Sequence, residues 1–417
     1  MKKIIDRIAH NGTPSLSEFI ESLGRSLEEI TRLEQTPQDA EWHGEGNVYL
    51  HTERVLEQVY TMLGSEAHHL PFDQKLSLIF AAVLHDIGKP LVTKNKVIDG
   101  LSRVVSPHHD IRGSSYLAYR LLEFDIPYQV VQQVLRLVYY HHNPRQFVLR
   151  NASNRDYVRL ARLVNVELLY YLEKADVEGR ICPNQQIERQ HIELFRLFCE
   201  EYQVFGTEGP YEEWKQFFRK ELKGLTPESI DAVLGYGIQD FEKGLIHTPQ
   251  EAIARRYPYL SSFPELVVMC GPSGSGKSTW IQNHLKEHQI VSLDDLRECF
   301  GKGRHDQESN SIVLAKAREL LKGHLRDHAK VVWDATNLRK DFRNAVCDLG
   351  FNYHGLVTLV VMHTPMSDVY SGNQSRTHQV HHDVLHTQMN LLEWVEDSEA
   401  HRICFVNRTQ PEETGKK

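Results

Sequence analysis

Apolar side chains recur at three- and four-residue intervals through most of the first 260 positions and then give way to short continuous runs. A helical part therefore precedes one with buried parallel strands. Leu16, Phe19, Ile20, Leu23, Leu27, Ile30 and Leu33 predict one packing helix over 15–34, entered through Pro14 and a Ser15 cap. A helix is expected from near His51 through Val55, Leu56, Val59 and Leu63, and another from near Asp73 through Leu76, Ile79, Phe80 and Val83. Two more follow, after His109 and across Val130 to Val138, and then a long one over 156–175 with Val158, Ala161, Val164, Leu168 and Leu172 inward. The pattern stays helical to about 258, where Thr226-Pro227 and Thr248-Pro249 read as caps with proline at the first helical position, and Glu251 completes a capping box with Thr248. Beyond Phe263-Pro264 the period changes. Leu266 to Met269, Ile290 to Leu293, Val331 to Asp334 and Leu359 to Met362 have the length and apolarity of buried strands, and a helix follows the first. The expected fold class is α and α/β: an all-helical N-terminal domain over 1–182, a helical extension or connector over 183–262, and a C-terminal domain over 263–417 with a parallel sheet flanked by helices.

The stretch Gly271 to Thr279, GPSGSGKST, lies between the first strand and its helix and fits G-x-x-x-x-G-K-[ST]. Gly271, Gly274 and Gly276 let the backbone turn so that successive N–H groups, through Thr279, face one anion. The helix N-terminus adds partial positive charge, Lys277 reaches the β/γ-phosphates, and Ser278 can hold Mg²⁺. ATP or another nucleoside triphosphate, with Mg²⁺, is the expected ligand.

Ionisable residues wait at the ends of the N-terminal helices: His51, His85-Asp86 and Asp176. An adjacent His-Asp pair can give two ligands to one cation, and a His from an earlier helix with an Asp from a later one completes a mixed set. Such a set suits Mn, Fe, Co, Ni or Zn better than Ca. Any one of these histidines taken alone reads more simply as packing or capping; their order together carries the metal reading. A bound divalent cation would support phosphoester hydrolysis. The spacing H…HD…D resembles the HD phosphohydrolase superfamily, and Trp42-His43-Gly44-Glu45-Gly46-Asn47, His85-Asp86-Ile87-Gly88-Lys89-Pro90 and Asp176 to Arg180 are similar to HD domains related to those of tRNA nucleotidyltransferases. That resemblance makes His109 and His141 candidates for a second metal or the substrate phosphate, and places Lys89 on the substrate. Arg155, Arg159 and Arg162 share a helix face that either holds nucleic-acid phosphates or is simply solvated.

In the C-terminal part, Asp294 at the end of the second strand is placed to accept a hydroxyl proton, and Arg376 to meet a transferring phosphate from a lid. The histidines 378, 381, 382 and 386 read as substrate-facing rather than metal ligands, because no carboxylate or cysteine completes a set. GxxGxGKS, S-x-D-D-x-R, D-A-T-N and N-x-x-R together resemble the kinase module of phage-type polynucleotide 5′-kinases. The resemblance implies Asp294 as general base, Arg297 on the acceptor's phosphate, Arg376 as lid arginine, and Asp334 and Asn337 in support. Gly372 and Val380-His381 depart from the family's lid, which has arginine and proline there.

The two modules in this order resemble the bacterial HD-Pnk family of RNA end-healing enzymes. That implies an RNA or DNA end as substrate, ATP-dependent phosphorylation of a 5′-OH, removal of a 2′-phosphate or 2′,3′-cyclic phosphate from the other end, and an RNA ligase downstream. Composition changes the picture little. A net charge of -8 gives no global attraction to nucleic acid, and six scattered cysteines argue for reduced thiols. With no apolar run of membrane length and no secretory leader, a cytoplasmic location without a membrane is expected. A small-molecule kinase fused to a nucleotide phosphohydrolase, or a kinase with a non-catalytic RNA-docking HD module, are the alternatives.

Overall fold

The computed structural model describes residues 1–207, 209–300 and 310–407. Two compact units emerge, Met1–Pro210 and Tyr211–Lys417. The first contains α1 (Lys2–Ala9), α2 (Leu16–Leu23), α3 (Val48–Leu63), α4 (Phe72–Leu84), a short α5 (Lys89–Val92), a hairpin of β1 (Lys94–Ile98) and β2 (Leu101–Val105), α6 (His109–Arg120), α7 (Tyr128–Tyr140), α8 (Asn143–Leu149), α9 (Asn154–Leu163), α10 (Val166–Gly179) and α11 (Gln185–Glu201). Helix α4 is buried from Leu76 to Leu84 against α3, α7 and α10. A helix apolar on every side has to be enclosed, and its enclosed end delivers His85 and Asp86 into the middle of the bundle. Asn47 starts α3 by accepting a hydrogen bond from the Leu50 amide at 2.9 Å, which turns His51 inward.

Three expectations change. The helix expected over 15–34 ends at Leu23, where the chain turns at Gly24 into a 3₁₀ segment, Glu28–Gln35. The helix expected over 156–175 is two, because the Asn165 side chain caps a new start by accepting from the Glu167 and Leu168 amides, both at 3.0 Å. The otherwise helical unit also carries a β-hairpin, closed by Asp99-Gly100 with φ of 50° and 79°. Asp-Gly is a favoured pair for the two left-handed positions of such a turn.

The second unit opens with α12 (Glu212–Glu221), α13 (Pro227–Glu242) and α14 (Pro249–Arg256), which share a small core of Phe218, Leu222, Val233, Ile246 and Ala252. Thr226 and Thr248 cap α13 and α14 as the sequence suggests, and Glu251 also accepts from the His247 amide. Then follow β3 (Glu265–Cys270), α15 (Lys277–His284), β4 (Gln289–Ser292), α16 (Leu293–Phe300), α17 (Asn310–Arg326), β5 (Lys330–Asp334), α18 (Lys340–Asn352), β6 (Leu356–Met362), α19 (Met366–Gln374), α20 (His382–Met389) and β7 (Arg402–Val406). The strands form one parallel sheet in the order β4-β5-β3-β6-β7. The segment read as a connector is thus divided: α11 packs on α8 and α10 of the first unit, and α13 packs on β6 of the second. Among the described residues, no helix is long and apolar enough to cross a membrane.

A buried ion pair ties the segment before β7 to α18. Arg343 meets Glu399 through Nε at 2.6 Å and Nη2 at 2.9 Å, and spends another donor on the Leu338 carbonyl at 2.8 Å. Removing one partner leaves the other charge stranded. Glu399→Ala is therefore expected to destabilise the C-terminal unit by about 3–5 kcal/mol in urea unfolding followed by tryptophan fluorescence. A loss of under about 1 kcal/mol, the range of an exposed pair, would contradict this reading.

Candidate functional site

In the first unit five element ends converge. The first turn of α3 brings His51, the end of α4 brings His85 and Asp86, the start of α6 brings His109, the end of α7 brings His141, and the last turn of α10 brings Asp176. All six are buried. His85, His109 and His141 each donate Nδ1–H to the carbonyl three residues earlier, that of Ala82, Ser106 and Val138, at 2.9, 2.8 and 2.7 Å. That bond assigns the tautomer and leaves Nε2 as an inward lone pair, the arrangement found behind metal-ligating histidines. His51 is held from behind as well, with Nδ1 2.9 Å from Glu45 Oε1.

The inward atoms lie close together. His51 Nε2 is 2.9 Å from Asp176 Oδ1, 3.4 Å from His85 Nε2 and 3.7 Å from Asp86 Oδ2. Asp86 faces two ways: Oδ2 is 3.3 Å from His85 Nε2, and Oδ1 is 3.1 Å from His109 Nε2. One carboxylate thus links the set containing His51 and His85 to a second set in which His109, His141 and His142 come together. Two cations lie on the carboxylates. Lys89, expected on the substrate, is buried with Nζ 2.7 Å from Asp86 Oδ2 and 2.6 Å from Gln38 Oε1, and Arg180 pairs with both oxygens of Asp176.

Electrostatics follow from this crowding. Burial works against the charge on Asp86, yet His85 and Lys89 hold its carboxyl well below the usual range; Asp176 is likewise held down, by Arg180 and His51. His85 is raised despite burial, because Asp86 and Asp176 favour its charged form. Burial lowers His141 to about 4, helped by His109 and His85, so it is neutral and free to ligate at pH 7. Its Nε2 is buried with no hydrogen-bond partner. Imidazoles held from behind, ionised carboxylates and a buried lone pair with nothing to accept from are the donor set of a divalent cation, so the residues present fit one.

Reading the sequence missed four residues here. Glu45 supports His51, accepts from the Ile181 amide at 2.9 Å and meets His43 at 2.8 Å; its place two residues after His43 in a turn was the available signal. Arg180 stands one turn beyond Asp176, and Gln38 had no signal. Glu173, one turn before Asp176, is buried with its carboxyl pushed well above the usual carboxylate range by burial and by the Asp176 charge. The arginines 155, 159 and 162 do lie on one helix, α9.

In the second unit the phosphate loop runs between β3 and α15, with Gly271, Gly274 and Gly276 at φ of 149°, 82° and 92°. Lys277 folds back onto its own loop, donating to the Gly271 and Pro272 carbonyls at 2.9 Å each. Burial lowers its pKa and Asp334 opposes that. A cavity of about 960 Å³, of the size small-molecule sites occupy, is lined by Gly274, Gly276, Lys277, Ser278 and Thr279 on one side. Asp294, Arg297, Asp334, Asn337 and Arg376 line it as well. Asp294 opens α16 rather than closing a strand, and its Oδ1 is 2.7 Å from Arg297. Asn337 Nδ2 donates to the Met269 carbonyl at 2.7 Å, so this side chain ties the loop after β5 to β3. The lid departure has a steric reason. A Cβ at Gly372 would lie 2.1 Å from the Gly274 carbonyl, so α19 rests on the phosphate loop only if that residue is glycine.

Family comparison agrees with these geometries. A model described as HD domain matches residues 48–166, and one described as AAA domain matches residues 266–394. The chain carries an HD domain followed by a P-loop domain. This is the domain order of the HD-Pnk family that the motifs resemble. A P-loop domain implies a nucleotide with Mg²⁺, and an HD domain a divalent metal. No curated protein matches the chain. Solved structures similar in part include the Pnkp1/Rnl/Hen1 complex, 21% identical over 29% of this chain and 42% of the other, TM-score 0.25. Another is a sugar kinase from Janibacter sp. HTCC2649, 18% identical over 36% of this chain and 87% of the other, TM-score 0.28.

Two measurements check the HD geometry. Glu45→Gln is expected to weaken binding of Mn²⁺ or Co²⁺ by about 10- to 100-fold in a calorimetric titration, as loss of an orienting partner does elsewhere; unchanged affinity would remove Glu45 from the site. His141, near 4 in the folded chain, takes up its proton at higher pH once unfolded, at about 6.5. The unfolded state binds more protons in that window, so this residue's share of stability is lost as pH falls from about 6.5 to about 4. Metal-free His141→Asn should show a shallower loss than the wild type by thermal denaturation across that range; parallel curves would contradict the assignment.

Proposed function

We propose that the chain heals broken RNA ends, the P-loop domain phosphorylating a 5′-OH with ATP and the HD domain removing a 2′-phosphate or 2′,3′-cyclic phosphate. What chiefly supports this is that one chain carries two phosphoryl-handling sites of opposite chemistry in separate units. If the hydrolase removed the phosphate the kinase installs, the activities would cancel, so they should serve different ends. The products, 5′-phosphate and 3′-OH, are what a ligase joins, which makes an RNA ligase the expected downstream partner.

In the kinase cavity Asp294 takes the proton of the 5′-OH as its oxygen bonds to the γ-phosphorus and ADP leaves. Lys277 swings from the Gly271 and Pro272 carbonyls onto the β/γ-phosphates, Ser278 holds Mg²⁺, and Gly271, Gly274, Gly276 and Thr279 shape the phosphate cradle. Arg376 offsets charge on the transferring group, Arg297 engages the acceptor's phosphate, and Asn337 acts as a positioning residue. In the HD domain His51, His85, Asp86 and Asp176 would hold a transition-metal divalent cation, with His109 and His141 around Asp86 for a second. Such an ion supplies an activated water and a positive charge beside the phosphoryl oxygen. Glu45 fixes the His51 ring, and Lys89 and Arg180 limit the negative charge facing an anionic substrate.

The test uses γ-labelled ATP and a 5′-OH oligoribonucleotide ending in a 2′,3′-cyclic phosphate. Lys277→Ala should lose 5′ labelling by at least a hundredfold and keep end-phosphate removal, while Asp86→Ala should do the reverse. Labelling of free nucleosides as efficient as that of oligonucleotides, with the cyclic phosphate untouched, would instead establish a small-molecule enzyme.

A further inference from the structure

The β1–β2 hairpin belongs to none of the machinery above, yet both its ends are rooted in the HD site. The chain leaves Asp86 and Lys89 through α5 into β1, and β2 returns through Ser106 to His109. At the root the two paths touch: a Cβ at Gly88 would lie 2.0 Å from the His109 carbonyl, and the Thr93 and Ser106 hydroxyls are 2.8 Å apart. Arg103 fastens the ribbon to the 39–46 loop that supplies Glu45, pairing with Asp39 at 2.8 Å and with Glu41, and the Val104 amide adds a bond to Asp39 at 3.2 Å.

Beyond that root every residue of β1 is exposed. Alternation puts Lys94, Lys96 and Ile98 on one face, and the register sets Val105, Arg103 and Leu101 opposite them on the same face. Lys94 and Lys96 have no ion-pair partner among the described residues. At the tip Ile98 and Leu101 are 41% and 63% exposed, a cross-strand aliphatic pair left in water. A two-stranded ribbon is marginally stable alone, and this one leaves its apolar end uncovered.

We infer that this hairpin is a binding arm for the single-stranded polynucleotide whose terminal phosphate enters the HD site, an inference that rests on the function proposed above. Residues two apart on a strand are about 7 Å from one another, so Lys94 and Lys96 track neighbouring phosphates of an extended chain. Ile98 and Leu101 offer an aliphatic surface to a base, contacts that carry no sequence preference. Two unpaired cations on an exposed strand rooted at the phosphate site fit a polyanion. In a chain of net charge -8 they are the kind of local basic patch that binding requires.

The experiment compares wild type with Lys94→Glu/Lys96→Glu and with Ile98→Ser/Leu101→Ser on two substrates, a 2′,3′-cyclic mononucleotide and a 5′-phosphorylated oligoribonucleotide with the same terminus. Charge reversal should raise KM for the oligonucleotide by tenfold or more and flatten its salt dependence by one to two units of log–log slope, while KM for the mononucleotide stays within twofold. The tip variant should raise the oligonucleotide KM by a smaller factor. Equal effects on both substrates, or none on either, overturn the arm; a tip that matters only to a co-purifying protein would make it a protein contact instead. If the wild type hydrolyses neither substrate, the phosphatase reading fails. Fluorescence anisotropy of the labelled oligonucleotide then decides the arm: affinity equal in wild type and charge-reversed variant overturns it.

Discussion

Negative charge taken out of water is the constraint on which the first unit depends. Asp86 and Asp176 lie inside a helical bundle, where an uncompensated carboxylate would cost several kcal/mol per ion, so positive charge has to be brought beside them. Lys89 and Arg180 supply part of it, and the pull of Asp86 and Asp176 on His85 favours its charged form. Divalent cations would answer the same demand, one among His51, His85, Asp86 and Asp176 and a second at His109 and His141, where the buried His141 lone pair has no partner. The carbonyls that face each Nδ1 are spare groups at helix ends or just before a helix start, so the backbone orients the rings at no extra cost in side chains.

The second unit obeys a steric constraint instead. Its phosphate loop must bring backbone amides together, and α19 lies against that loop, so glycine stands on both sides of the contact: Gly274 in the loop and Gly372 in α19. Gln388 of α20, whose Oε1 accepts from the Ser273 amide at 2.8 Å, also binds the loop, and Asn373 of α19 clasps Val380 through both its amide groups. Loop, α19 and α20 therefore pack together beside the cavity, and glycine at 372, where the resembled family has arginine, goes with that close packing.

How much of this the sequence reveals depends on how local each cause is. The phosphate loop, the strands of the parallel sheet and the His85-Asp86 pair announce themselves because their chemistry is written in adjacent residues. Asn165 restarting a helix is legible only in hindsight, since an asparagine inside a continuous apolar stripe gives a weak signal against the long-helix reading. The hairpin was hidden for a similar reason: Asp99-Gly100 is a strong turn pair, but its flanking strands are short, exposed and half polar, so they lack the apolar runs that mark a strand. Glu45 and Gln38 acquire their roles from residues far along the chain, and so does the bond from the Asn337 amide to the Met269 carbonyl. Partners across the fold are what local pattern cannot supply.

The central claim is that the buried cluster of imidazoles and carboxylates is a metal centre. Metal content after exhaustive dialysis, followed by reloading with Mn²⁺ and anomalous diffraction at the manganese edge, tests it most directly. The account predicts at least one ion bound per chain among His51, His85, Asp86 and Asp176, and none in Asp86→Ala. A protein that takes up no divalent ion there at millimolar concentration would contradict it, leaving the cluster as a proton-balanced core and the N-terminal unit without its proposed chemistry.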